Sequence, residues 1–233
     1  MEAEFWRQRW VSDQVGWHRE VTNPKLKAWW PRIGVSQQAP VLVPLAGKSL
    51  DLHWLAGLGH LAVGVELSEI AISSFFAEAV IQAHPQRVGK FRRWASSGIE
   101  LFQGDFFDFS YEYLSCEGLG VNWYDRAALV ALPGEMRLAY MRHLAEILPK
   151  GSVGLLLSFE YPQHEAAGPP FSVEESEVRG LCNGIFACDL LDREVLLDPE
   201  NLPSEAELAA RPNRYMEKGM TMAAETVYRL ERL

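Results

Sequence analysis

The sequence predicts an α/β fold: a mostly parallel sheet with helices on both faces, joined by right-handed crossovers. Three observations predict it. The run from Val41 to Glu66, VLVPLAGKSLDLHWLAGLGHLAVGVE, reads as strand, glycine turn, helix and strand, and closes on an acidic residue nineteen positions after Gly47. Short apolar runs then alternate with stretches whose apolar residues recur at helical spacing. After Tyr161 the alternation stops, and two closing strands without a long periodic helix between them predict an antiparallel edge.

Taken in order, the strand candidates are Val41–Leu45, Leu61–Val65, Ile99–Phe102, Leu119–Tyr124 and Val153–Phe159, each a short apolar run bounded by glycine, proline or polar residues. Ser49–Leu58 and Glu69–Ile81 carry apolar residues at helical spacing, with Ser68 as the expected N-cap of the second. Pro133 suits the first turn of a helix running to about Leu148, and Gly151 stops it. The loop AAGPPFSV leads to a helix near Glu174–Cys182, and Ile185–Leu191 and Met222–Leu230 are the closing strands. Asp198–Gly219, rich in proline and charge, reads as an extended surface excursion. Single α/β domains commonly run to 233 residues, so one domain is expected, with residues 1–35 lying outside the sheet-bearing part at 41–233.

The glycine turns decide what kind of nucleotide this fold would take. Gly47-Lys48-Ser49 would need a glycine five positions earlier to wrap a triphosphate, and Leu42 stands there. Gly57-Leu58-Gly59-His60-Leu61-Ala62 matches the dinucleotide string but precedes a strand instead of following one, so its glycines read as a helix stop. What remains is one glycine turn after the first strand and a carboxylate, Glu66, at the end of the second, where ribose hydroxyls need a charged acceptor. That suits a ligand with adenosine but no diphosphate; S-adenosyl-L-methionine is one.

Composition narrows the partners. A formal charge of −9, from 31 acidic and 22 basic residues, is the opposite of a phosphate-backbone footprint, so nucleic acid is not an expected partner. Cys116, Cys182 and Cys188 are odd in number and lack a C-x-x-C pairing, which predicts neither a disulfide framework nor a metal site. The amino terminus has no basic and apolar targeting pattern, and no apolar run reaches the ~20 residues of a membrane helix. The expectation is a cytoplasmic protein that is a monomer and engages no membrane.

Four motifs in fixed order carry a family resemblance: PLAGKSLDLHWLAGLGH followed by GVE, GDFF at Gly104–Phe107, YDRAALVALP at Tyr124–Pro133, and LSFEY with GPPFSV after it. Together they resemble the thiopurine S-methyltransferase family, its bacterial members in particular, over nearly the whole chain. The resemblance implies a Rossmann-like class I methyltransferase that uses S-adenosyl-L-methionine, with a seven-stranded sheet whose last strand is antiparallel. It implies cofactor contacts at Trp10, Leu45, Glu66, Arg126 and the Asp105–Phe106 step. Phe106 would give adenine a packing face. Two positions depart from the family pattern: Ala46 replaces the usual cysteine before GKS, and Leu119–Trp123 lacks the acidic residue expected ahead of YDR.

Trp6, Trp10 and Trp17 lie four and eleven positions apart, near one face if a continuous helix carries them. Since they precede the sheet, they are expected to form a lid, and the resemblance implies Trp10 beside the cofactor and Trp17 beside the acceptor. His18 is a candidate to orient or deprotonate that acceptor, and Arg126 to draw in an anionic one. The expected acceptor is a small soft nucleophile: a thiol, a thiopurine sulfur, or a selenium or tellurium compound. No catalytic residue is singled out, because an aromatic thiol ionises near neutral pH without help. Two other readings fit the same half-site: a methyltransferase for halide or small thiols, and a non-catalytic module that binds an adenosine ligand.

Overall fold

The structure is a computed structural model that describes residues 3–114, 116, 118, 120–202 and 213–233. Two short helices, α1 (Ala3–Val11) and α2 (Pro24–Trp29), come first. The alternating part follows: β1 (Val41–Val43), α3 (Asp51–Gly57), β2 (Ala62–Glu66), α4 (Glu69–Glu78), β3 (Gln86–Val88), β4 (Phe91–Ser96), β5 (Ile99–Gln103), β6 (Asn122–Asp125), α5 (Gly134–Ile147) and β7 (Val153–Glu160). The chain closes with α6 (Glu175–Cys182), β8 (Phe186–Leu197) and β9 (Ala223–Arg232).

All nine strands form one sheet in the order β3-β4-β5-β2-β1-β6-β7-β9-β8. The five strands β5, β2, β1, β6 and β7 are parallel, and β9 runs antiparallel between β7 and β8, as the closing pattern predicted. The expected seven strands are all present; β3 and β4 add an antiparallel hairpin at the other edge. Its turn is Gly89-Lys90, with Gly89 at φ +57°, a local signal that the arginine-rich strands on either side obscure.

Each central strand is buried on both faces, the reason the runs read as continuous apolar stretches rather than alternations. Leu42, Val63, Val65 and Trp123 point into a core closed by Tyr140, Met141 and Leu144 of α5 and Val178 of α6. Val41, Val43 and Tyr124 point into the opposite core, with Leu26 of α2, Leu52 and Leu55 of α3, and Ile72 and Phe75 of α4. Ser68 caps α4, its hydroxyl accepting from the Ala71 N–H at 3.3 Å. Pro133 sits one position ahead of its expected place, at the N-cap of α5. Leu119 and residues 203–212 of the Asp198–Gly219 excursion lie outside the described residues. Among the described residues no helix is long and apolar enough to cross a membrane.

Gly154 of β7 shows how tightly the central sheet is packed. A Cβ there would lie 2.1 Å from the indole of Trp123, which is fully buried and has no room to turn. Gly154→Ala should therefore lower unfolding stability by about 1–3 kcal/mol, measured by chemical denaturation.

Candidate active site

A cavity of about 450 Å³ opens over the carboxyl ends of the parallel strands, within the size range of small-molecule sites. Its position follows from topology, because β1 leads to β2 on one side and β6 leads to β7 on the other, which leaves a crevice between β1 and β6. The parallel register, carried past the strand ends, sets three of the sequence-predicted residues level. Val41 pairs with Ala62 and with Asn122, so Leu45 stands beside Glu66 on one side and Arg126 on the other.

The turn after β1 is held by Glu66. One carboxylate oxygen accepts from the Gly47 N–H at 2.9 Å and the other from the Ser68 N–H at 2.7 Å. Each oxygen keeps a further lone pair for a ligand. Burial pushes the carboxyl above the ordinary carboxylate range, while backbone donors at Ser68, Gly47 and Leu67 pull it back. Leu45 has φ +47° and Gly47 φ +56°, a left-handed course that a side chain resists and that brings backbone against the cavity.

Asp105 and Phe106 follow β5. The Asp105 carboxylate accepts from the Phe107 N–H at 2.9 Å and remains exposed at the cavity. Phe106 is more interior than the sequence suggests: it is 4% exposed, with its ring 5.5 Å from that of Tyr140 and 5.2 Å from that of His143. Only an edge reaches the cavity, where Phe107, 37% exposed, also lies.

Arg126 does not pair with its neighbour Asp125, which turns inward to accept from the Ala128 N–H at 2.9 Å and the Tyr140 hydroxyl at 2.8 Å. Instead its Nε lies 3.8 Å from Oδ2 of Asp51, and its Nη1 donates to the Trp17 carbonyl at 2.8 Å. Among the described residues its Nη2 makes no hydrogen bond and is open to a ligand.

The three tryptophans do meet, though by a different route from the one expected. The helix ends at Val11, and Asp13 takes a left-handed φ of 54°, so the chain turns back and brings Trp17 against the helix. The Trp17 ring stands edge-on to Trp6 at 5.3 Å and to Trp10 at 5.9 Å. Trp10 packs on the β1 turn, 3.3 Å from where a Cβ of Gly47 would sit. His18 lines the cavity beside Trp17; burial lowers its pKa, with Lys48 and Arg126 adding to the effect and Glu78 opposing it.

The sequence reading missed the far end of this cavity, built from Pro169 and Pro170, from Tyr215 and Met220, and from Glu225 of β9. GPPF marked the first pair as a motif without saying where it would sit, and nothing local marks the others.

Adenosine attached to an amino acid needs a carboxylate for the ribose, a close backbone for the amino-acid end and apolar walls for the base. Glu66, the Leu45–Gly47 turn and the Phe106 edge supply these, so the residues fit the group. The arrangement is that of class I S-adenosylmethionine-dependent methyltransferases. Solved proteins of that class share the fold: one from Anabaena variabilis at 11% identity, with a TM-score of 0.62 over 99% of this chain and 95% of that one. Another, from Thiobacillus denitrificans in complex with S-adenosyl-L-homocysteine, has 15% identity and a TM-score of 0.59, covering 97% and 98%.

The chain belongs to the thiopurine S-methyltransferase family, whose model matches residues 1–232. A relative named thiopurine S-methyltransferase from Pseudomonas aeruginosa (strain UCBPP-PA14) is 42% identical over 233 residues, the full length of both chains. One of the same name from Azotobacter vinelandii is also 42% identical, again over all of both chains. The protein is thus an S-adenosylmethionine-dependent methyltransferase.

Because one hydrogen bond joins Arg126 to the Trp17 backbone, Arg126→Ala should loosen the amino-terminal segment without disturbing the sheet. Amide hydrogen exchange should quicken by about tenfold or more across residues 3–18 and stay unchanged in β1 and β6, the scale of a lost charge-assisted bond.

Proposed function

We propose that this enzyme methylates the sulfur of small aromatic thiols, and by the same chemistry selenium or tellurium nucleophiles. The observation that carries this reading is the shape of the cavity. It runs from Glu66 past Arg126 to a far end walled by Pro169, Pro170, Tyr215 and Met220 with Glu225 beside them, far more room than a halide needs. A non-catalytic adenosine module would have no use for that second compartment.

In this reading Glu66 holds the ribose hydroxyls, the Leu45–Gly47 backbone flanks the methionine end, and Asp105 and Phe106 border the adenine. Trp10 covers the cofactor from the amino-terminal side. When bound, S-adenosylmethionine supplies an electrophilic methyl on a sulfonium, open to in-line attack by a soft nucleophile. Trp6, Trp10 and Trp17 act as a lid that keeps water from the acceptor, and the fixed walls supply alignment, which is worth up to about 7–11 kcal/mol for well-oriented reactants.

Arg126 and His18 handle the acceptor. The free Nη2 of Arg126 stabilises a thiolate over a thiol, because a guanidinium is charged at every working pH. His18 is kept neutral by burial and by its cationic neighbours, so its imidazole is free to take the thiol proton. For an acceptor that is already a thiolate, Arg126 suffices. The methylated product carries neither the negative charge nor the proton, and its hold on this end of the cavity weakens.

The direct test is release of S-adenosyl-L-homocysteine with a panel of aromatic thiols, thiopurines, selenite, tellurite and iodide. Turnover with the aromatic thiols is expected; turnover with iodide alone would favour the halide reading, and binding without turnover of any acceptor would favour the regulatory one. For the cofactor end, Glu66→Ala should weaken S-adenosyl-L-homocysteine binding by roughly 1.5–3 kcal/mol in calorimetry, the scale of hydrogen bonds to a charged group. Unchanged affinity in a folded variant would place the ribose elsewhere.

A further inference from the structure

The far end of the cavity contains one group that the methyl-transfer chemistry above does not use. Glu225 lies on β9 opposite Phe159 of β7, half-buried, and lines the cavity. Among the described residues its carboxylate makes no hydrogen bond and no ion pair, although Arg19, Lys25 and Arg126 lie close enough for their charges to act on it. Of these cations two are committed elsewhere, while Arg19 lines the same cavity and makes no ion pair among the described residues. Lys25 is bound by Asp192 and Glu194 at 2.6 Å each, and Arg126 is held back by Asp51 and the Trp17 carbonyl. Burial pushes the Glu225 carboxyl above its ordinary range, with Arg19 and Lys25 pulling the other way. A half-buried carboxylate left without a donor is unfavourable until something supplies one.

Register gives its distance from the reacting end. Arg126 stands one position past the Asp125–Leu156 pairing, level with Leu157 of β7, while Glu225 pairs with Phe159, two residues further along and one strand beyond. Two strand spacings of about 4.8 Å and two residue rises of about 3.3 Å put the two Cα atoms roughly 12 Å apart. With Arg126 fixed toward Asp51, that separation leaves space for a single bicyclic ring between the two side chains. One end of the ring then meets the guanidinium and the other the carboxylate.

The geometry points to Glu225 as a specificity-determining residue: its carboxylate accepts a hydrogen bond from a ring N–H at the distal edge of a heteroaromatic thiol, and it rejects acceptors that carry a carboxylate there. The inference rests on the proposed transfer to small aromatic thiols. It adds that the site selects for a donor at the end opposite the sulfur. Arg126 favours negative charge at the sulfur, and Glu225 disfavours it at the far edge.

The test measures binding of three thiols to the protein loaded with S-adenosyl-L-homocysteine, where no turnover intervenes: 6-mercaptopurine, its 9-methyl derivative without the imidazole N–H, and 4-mercaptobenzoate. The wild-type protein is expected to bind 6-mercaptopurine about tenfold more tightly than the 9-methyl compound, and Glu225→Ala to reduce that preference to about twofold or less. Glu225→Gln, nearly isosteric and still able to accept through its amide oxygen, should keep part of the preference. It should nevertheless bind 4-mercaptobenzoate about tenfold more tightly than wild type, because the repelling charge is gone.

A preference unchanged in either variant, with 4-mercaptobenzoate binding also unchanged, overturns the assignment. So does a drop in melting temperature with equal losses for all three thiols, which would make Glu225 a packing residue. Turnover of the wider thiol panel by wild type separates the two failures: if the panel is methylated while the ratios do not move, only the role of Glu225 is wrong.

Discussion

The active-site end of the molecule depends on one buried carboxylate, Asp51. It stands at the start of α3, 2% exposed, and a charge so placed is tolerable only if donors surround it. They come from two distant parts of the chain: the Asn23 N–H at 2.7 Å, and at the end of β6 the Tyr124 hydroxyl at 3.1 Å and the Arg126 guanidinium at 3.8 Å. The amino-terminal segment, the fourth parallel strand and the cavity wall are thereby tied to the first βα turn. Burial and the Asp51 charge hold the Tyr124 hydroxyl well above its ordinary pKa, so it is always a donor. Arg126, oriented by Asp51, passes the connection to the Trp17 backbone and so to the tryptophan cluster over Gly47.

The two ends of the cavity are built differently. At the Glu66 end the groups are backbone and strand-tip positions: Glu66 clamps the amides of Gly47 and Ser68, and Leu45 and Gly47 hold a left-handed path. This end is rigid because the parallel strands fix it. The far end is assembled from the amino-terminal helix, the segment after β7 and the last strand, which share no hydrogen-bond ladder with the β1 turn. Changes in those pieces leave the Glu66 end intact.

Charge follows the same division. The protein is acidic overall, yet Arg9, Arg19, Arg126, Arg214 and Lys218 all line the cavity, and Glu225 is set among them. A cationic surround in a low-dielectric cleft attracts anionic ligands, and a carboxylate at one end of it gives the ligand a direction.

The sequence by itself determined the parallel core, the glycine turn, Glu66 and the position of Arg126, since each depends on spacing within a βα unit. A strand tip, a turn and a helix start are local, and their periods of two and 3.6 residues show in a single chain. It also placed the antiparallel close, because the periodic pattern breaks after Tyr161. Only the tertiary structure decided that Trp17 reaches Trp10 by a reversal at Asp13 and not along one helix, and that Phe106 turns its ring to Tyr140 and His143. The same holds for Asp51 as the partner of Arg126, and for Glu225 facing the cavity from a strand whose other residues are mostly buried. The physical reason is sequence separation. Asp51 and Arg126 are brought together by the pairing of β1 with β6, and Glu225 reaches the site through its pairing with β7, so neither meeting leaves a periodic trace in the chain.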